Sequence, residues 1–186
     1  MKNLNLSALI GSTLLLTSAA SVAQDQHGEA PINQSCMYNI EQSAPLNRYR
    51  INSGGATVFD KVTGLTWSRC DLGQSWNDSL GYCEGAKLEV NWLEANQQAT
   101  NYEAGGLTGW RLPNIKELAT LTEDRCSLPA MNTEIFNSGT GYEYYYSSTP
   151  YVFDATHKKV MVFSARISEV LAYEKDNTLN VKYVLK

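Results

Sequence analysis

The sequence predicts an α+β domain: an antiparallel sheet with two helices and two disulfides. Three observations carry this. Four cysteines stand in an even count behind an export-type leader, two segments carry helical periodicity, and the last third is aromatic and β-branched with turns between. The 186 residues, less the leader, make about one domain's worth of chain, enough to bury a core.

The leader is residues 1–23. Lys2 supplies a thin positive region, an apolar run extends from Leu6 to Leu16, and small residues lead through Ala20 to Ser21-Val22-Ala23, which fits cleavage after Ala23. The run is too short and too broken by Ser and Thr to span a bilayer, so no membrane insertion is expected after cleavage. The expected location is exported: periplasm, cell surface or medium. Residues 24–47 are polar and read as an N-terminal arm, with the folded domain over 48–186.

Export makes Cys36, Cys70, Cys83 and Cys126 disulfide candidates. Three connectivities are open to four cysteines. Cys70–Cys83 is favoured because "DLGQSWNDSLGY" between them is rich in turn formers. Cys36–Cys126 then ties the arm to the middle of the domain. Zinc would need paired Cys-x-x-Cys or nearby His ligands, which the chain lacks, so no metal and no cofactor are expected.

In chain order, "ATVFDKVTGLTW" (56–67) reads as two short strands around a turn at Thr63-Gly64. "VNWLEANQQATNYEA" (90–104) reads as a helix with Trp92, Ala95, Ala99 and Tyr102 on one face, stopped by Gly105-Gly106. "NIKELATL" (114–121) is a second helix, with Ile115, Leu118, Ala119 and Thr122 as its inner stripe. "YEYYYSSTPY", "KVMVFSARI" and "NVKYVLK" read as strands.

"GWRLPNIKEL" (109–118) is a strand-to-helix corner with its chemistry written in. Pro113 pushes Leu112 extended. Asn114 can cap the helix, and Glu117 can reach back to the cap's N–H. Trp110 would fill the core beside the corner, and Arg111 would pair with a carboxylate or carbonyls from another segment. Trp67, Trp110, Arg111, Pro113, Asn114 and Glu117 are therefore assigned structural roles, although a lone Arg111 also fits a carboxylate clamp.

Charge narrows the function. The chain holds 15 Lys and Arg against 19 Asp and Glu; without the leader, whose one charge is Lys2, the balance is 14 against 19, a net of −5. Bulk binding to nucleic acid is not expected.

"DKVTGLTWSRC", "GQSW", Cys83, a helix near Trp92, "GWRLPNIKEL", "CSLPAMNTEIF" and "YYYSSTPY", in that order over about residues 56–186, resemble the bacterial Lcl C-terminal domain family. That family is the C-terminal module of a collagen-like adhesin. The resemblance implies a C-type lectin-like fold. "WRLP" ahead of a helix is also similar to the formylglycine-generating enzymes, which share that broad fold. The resemblance further implies surface or secreted adhesins that bind sulfated glycosaminoglycans and trimerise, so a homo-oligomer is among the expectations. This chain lacks a Gly-X-Y stalk and is net acidic. The nearest candidate basic patch is His157-Lys158-Lys159, joined by Arg166 and Lys182, although a solvated loop and strand face accounts for the same residues.

"WND" at Trp76-Asn77-Asp78 spells a calcium-lectin triplet, but it lies early, and no "EPN" or "QPD" accompanies it. It is read as coincidence, since calcium takes six to eight oxygens. Asp154, His157 and Ser147 or Ser148 lack any nucleophile elbow, so no catalytic residue is assigned and no enzymatic activity is expected.

The expected function is an exported binding or adhesion module for a glycan or a surface protein. Tyr142, Tyr144, Tyr146 and Tyr151 motivate it, since alternate tyrosines of a strand would face outward and tyrosine suits sugars and protein interfaces alike. A central strand would bury them instead. Lys158 and Lys159 would add a salt-sensitive part. The alternative is a structural or accessory subunit of a cell-envelope or pilus-type assembly.

Overall fold

The computed structural model describes residues 34–136 and 142–186. The expected leader, residues 1–23, and residues 24–33 of the expected arm lie outside the described residues.

The chain begins with β1 (Ser35–Cys36), a 3-10 turn (Leu46–Arg48) and three successive strands, β2 (Tyr49–Ile51), β3 (Thr57–Asp60) and β4 (Thr66–Ser68). A small hairpin, β5 (Ser75–Asn77) and β6 (Tyr82–Glu84), precedes the helices α1 (Trp92–Ala99) and α2 (Ile115–Ala119). Then come β7 (Cys126–Ser127), β8 (Tyr144–Pro150), β9 (Lys159–Ser164), β10 (Glu169–Glu174) and β11 (Val184–Leu185).

Two antiparallel sheets dominate. One runs β11-β4-β3-β2 and the other β10-β9-β8. The expected α+β class with two helices is what the chain forms. The strand β10, "EVLAYE", was not anticipated; it pairs with β9 along its whole length, Glu169 opposite Ser164 through Glu174 opposite Lys159.

The expected turn at Thr63-Gly64 joins β3 to β4, and Asp60 organises it. Its carboxylate accepts from Val62 N and from the Thr63 hydroxyl, and takes Arg48 in a two-toothed grip at 2.9 and 2.5 Å. Burial pushes the Asp60 carboxyl up, but the Arg48, Thr63 and Val62 bonds outweigh it and leave it below the usual aspartate range. Gly64 sits at φ 71°, where only glycine is unstrained.

The helices form where the periodicity puts them but stop sooner. Asn91 caps α1 through a reciprocal box with Glu94, which the sequence reading passed over. Ala95 and Ala99 are buried, with Trp92 and Tyr102 packed beside them. In α2 the inner stripe is Ile115, Leu118 and Leu121, while Ala119 faces out. The cause is a tightened end: Leu121 N donates to Leu118 O three residues back, so the spacing becomes three and Leu121 takes the inner place.

The β8-β9 part of the β10-β9-β8 sheet is covered on both faces, while β10 is a half-exposed edge. Tyr145 and Phe163 join a cluster with Trp67, Leu118 and Ile135. Tyr146, Val160 and Val162 join a second cluster with Trp110, Val181 and Tyr183. Each large apolar side chain fully buried this way contributes about 1.5–3 kcal/mol.

Both favoured disulfides are present, Cys36–Cys126 and Cys70–Cys83, and no cysteine among the described residues is free. Cys36 and Cys126 are directly opposed in the β1–β7 pair. The described part of the arm is not loose. Ala44 is wholly buried, the Gln34 amide donates to the Pro129 and Met131 carbonyls, and the buried Glu123 carboxylate accepts from Ser43 N and Ala44 N. No helix of the described residues is long and apolar enough to cross a membrane.

The two bridges close loops of different length, 90 and 13 residues apart. Paired Cys→Ser replacement should therefore cost about 4–5 kcal/mol at Cys36/Cys126 and about 3 at Cys70/Cys83 in urea unfolding. Equal losses, or a larger loss at the short loop, would count against loop closure as the origin of the stabilisation.

Candidate binding surfaces

The corner at 109–118 is held together by bonds among its own residues. Asn114 caps α2 by accepting from Glu117 N at 2.9 Å, and Glu117 returns the bond by accepting from Asn114 N at 2.8 Å. The Arg111 partner is not another segment, as expected, but this same Glu117, held by two bonds of 2.8 and 2.7 Å. One carboxylate thus serves both the cap and the cation, which explains the whole spelling of the motif. Arg111 bonding, aided by the Asn114 amide, outweighs partial burial and holds the Glu117 carboxyl below the usual glutamate range. Trp110 is buried, its indole N–H donating to Leu107 O, with its ring edge-on to Tyr102. Pro113 is buried, and its carbonyl accepts from Ser148 N of β8. Trp67 is completely buried between the sheets.

The tyrosine stretch divides. Tyr146 is not a surface residue. It is wholly buried, and its hydroxyl lies 2.7 Å from Asn177 O, the nearest of three carbonyls around it. Burial pushes its phenol up to about 12. Tyr144, on the same face, is half-buried against Tyr173. The expected outward alternation fails because β8 lies between the two apolar clusters. Ser147 is also interior, donating to Met161 O.

The ends of β8 behave differently. At its start Tyr142 is 60% exposed, with the Arg166 guanidinium over its ring. At its far end the β8–β9 loop carries Tyr151, half-buried and edge-on to Phe153, then Val152 at 72% and Phe153 at 84% exposure. The loop is built around Asp154. Its carboxylate accepts from the Thr156 hydroxyl and from the amides of Thr156, Lys158 and Lys159, at 2.7–3.0 Å. The Thr156 bonds first, then those of Lys158 and Lys159, hold the Asp154 carboxyl down at about 2. A lowered carboxyl keeps these bonds fully above the ordinary aspartate range and loses them only as the pH falls through about 2.

The basic patch does not assemble. Lys158 is exposed, but Lys159 is half-buried and paired with Glu174 at 3.7 Å. Arg166 belongs to the Tyr142 end of the sheet. Lys182 is interior, 2.7 Å from Asp71, which is equally buried.

That pair anchors a charge cluster the sequence reading missed. Lys182 also donates to Arg69 O, and the Tyr145 hydroxyl donates to the second Asp71 oxygen. Lys87 stands 4.0 Å from that oxygen and 2.6 Å from Glu143. Burial lowers the Lys182 ammonium against the opposing pull of Asp71. Above this cluster opens a cavity of about 460 Å³ bordered by Lys87, Glu89, Tyr142, Glu143 and Asn180.

The triplet at 76–78 is a hairpin device. The Asn77 side chain accepts from Ser79 N and Leu80 N, turning β5 into β6. The Trp76 ring lies 3.8 Å from the Arg69 guanidinium, which itself donates to the carbonyls of Gly55, Glu134 and Ile135. Gly55 is required there, because a Cβ would stand 2.3 Å from the Trp76 indole nitrogen.

The Lcl C-terminal domain family model matches residues 56–185. No curated protein matches the chain.

Arg111→Ala should cost about 0.5–1 kcal/mol at neutral pH, the modest worth of a partly exposed pair. The loss should shrink as the pH falls through the depressed Glu117 value, and comparison of urea midpoints at pH 7 and pH 3 checks it. Lys182→Met should cost about 3–5 kcal/mol by leaving Asp71 charged and unpaired, and adding Asp71→Asn should recover most of it. A double variant as unstable as the single one would mean that packing, not charge, dominates the site.

Proposed function

The chain belongs to the Lcl C-terminal domain family, and on that premise we propose that it is an exported, non-enzymatic binding or adhesion module for a glycan or protein ligand. The observation that carries the reading is the β8–β9 loop. Phe153 and Val152 stand in water on a loop whose following residues, 154–159, Asp154 ties together by four bonds. Exposed apolar side chains on a loop with an ordered backbone are ready to bury with little further backbone ordering. The adjoining Tyr151 ring and Lys158 ammonium widen the contact.

The C-type lectin-like assignment belongs to the same proposal. Its support is the antiparallel core with two helices, and a last strand, β11, paired to β4 in the sheet that the first strands build. Both disulfides fit an oxidising compartment, which supports export.

A glycan array and a pull-down from envelope extracts, each run with the mature chain and with Phe153→Ala, test the reading. The wild type should capture a ligand, and Phe153→Ala should weaken capture about tenfold or more, as for a central aromatic, with an unchanged melting temperature. Undiminished capture by Phe153→Ala would remove the loop from the contact. Capture confined to one envelope protein, with a silent array, would favour the accessory-subunit reading.

A further inference from the structure

We propose that the cavity bordered by Lys87, Glu89, Tyr142, Glu143 and Asn180 is a subsite for one uncharged sugar ring. The proposal rests on the domain being a binding module, but not on the β8–β9 loop, which lies at the other end of β8.

Asn180 is the first argument. It is 6% exposed, its Nδ2 donates to Glu89 Oε1 at 3.2 Å, and its Oδ1 has no hydrogen-bond partner. Reversing the amide would set oxygen against the Glu89 oxygen, so the orientation is fixed by its neighbour. A buried acceptor left unpaired carries a desolvation cost, which a small turn of the side chain toward a ligand hydroxyl in the cavity would relieve. Asn180 and its bonded partner Glu89 both border the cavity.

The remaining groups complete a recognisable set. Glu89 is exposed and offers further acceptor oxygens. Lys87 is pinned between Glu143 and Asp71, so its ammonium is a donor fixed in place. Tyr142 offers a large exposed ring with an apolar face. Vicinal hydroxyls donate and accept at once, and a sugar ring also has an apolar C–H face. Those are the three things that Glu89 with Asn180, Lys87 and Tyr142 offer. The cavity volume falls within the usual small-ligand range.

Charge selects among sugars. The border holds two carboxylates and one ammonium, so a sulfated or carboxylated ring would meet net repulsion. A metal is not favoured: among the described residues no three His, Cys, Asp or Glu converge, and Lys87 stands among the carboxylates.

Saturation-transfer NMR on the full mature chain, with the methyl glycosides of glucose, galactose, mannose and N-acetylglucosamine, tests the site. At least one should show transfer to its ring C–H protons. Tyr142→Ala and Glu89→Gln, both exposed, should each weaken it about tenfold with no change in melting temperature. Phe153→Ala should leave it intact. The site is overturned if no glycoside binds, if binding survives both substitutions, or if a heparin disaccharide competes. Glycoside binding that fails while Phe153-dependent capture persists sinks this subsite alone; the reverse pattern sinks the loop reading alone.

Discussion

Lys182 and Asp71 bring opposite charges into the interior, 2.7 Å apart, where neither can reach water. The cost of desolvating them is recovered only if every neighbour is in place. Asp71 must receive the Tyr145 hydroxyl, and Lys182 must reach the Arg69 carbonyl. Those contacts draw together the residue after Cys70, the first residues of β8 and the segment leading into β11. The pair therefore fixes how the last segment of the chain lies against the first sheet. Its worth is positional more than energetic, since an apolar pair of the same volume could fill the space.

The two apolar clusters and the cavity follow from this placement. With residues 179–185 held against β4 and β8, Tyr146, Val181 and Tyr183 have only the interior to face. Glu143 stands at the start of β8, where Lys87 reaches it across the same charged floor. The polar cavity is the solvent end of that cluster, and the apolar tip at the far end of β8 is unconnected to it. The domain thus presents two chemically different surfaces at the two ends of one strand.

Much of the local structure was legible because it is written in neighbouring residues. The hairpin turn at Thr63-Gly64, the Asn114–Glu117 box and the short Cys70–Cys83 loop each need partners only a few positions apart. Burial, by contrast, depends on distant partners. Tyr146 reads as an outward residue until β8 is covered on both faces. Lys182 reads as surface because its neighbours Val181 and Tyr183 alternate with it, yet a segment buried on both sides has no outward face. Asp71 carries no local mark of its role at all.

The sequence alone determined the class of fold, the existence of both helices and the capping chemistry of the "GWRLPNIKEL" corner, because capping, turn and periodicity rules act over a few residues. It favoured the short Cys70–Cys83 loop, and Cys36–Cys126 followed only as the remaining pair. Tertiary structure alone decided that the basic residues scatter rather than cluster, and that Phe153, not Tyr146, meets solvent. Burial is a property of what lies on the other side of a side chain. In this chain what lies there is usually tens of residues away, and no spacing along the sequence records it.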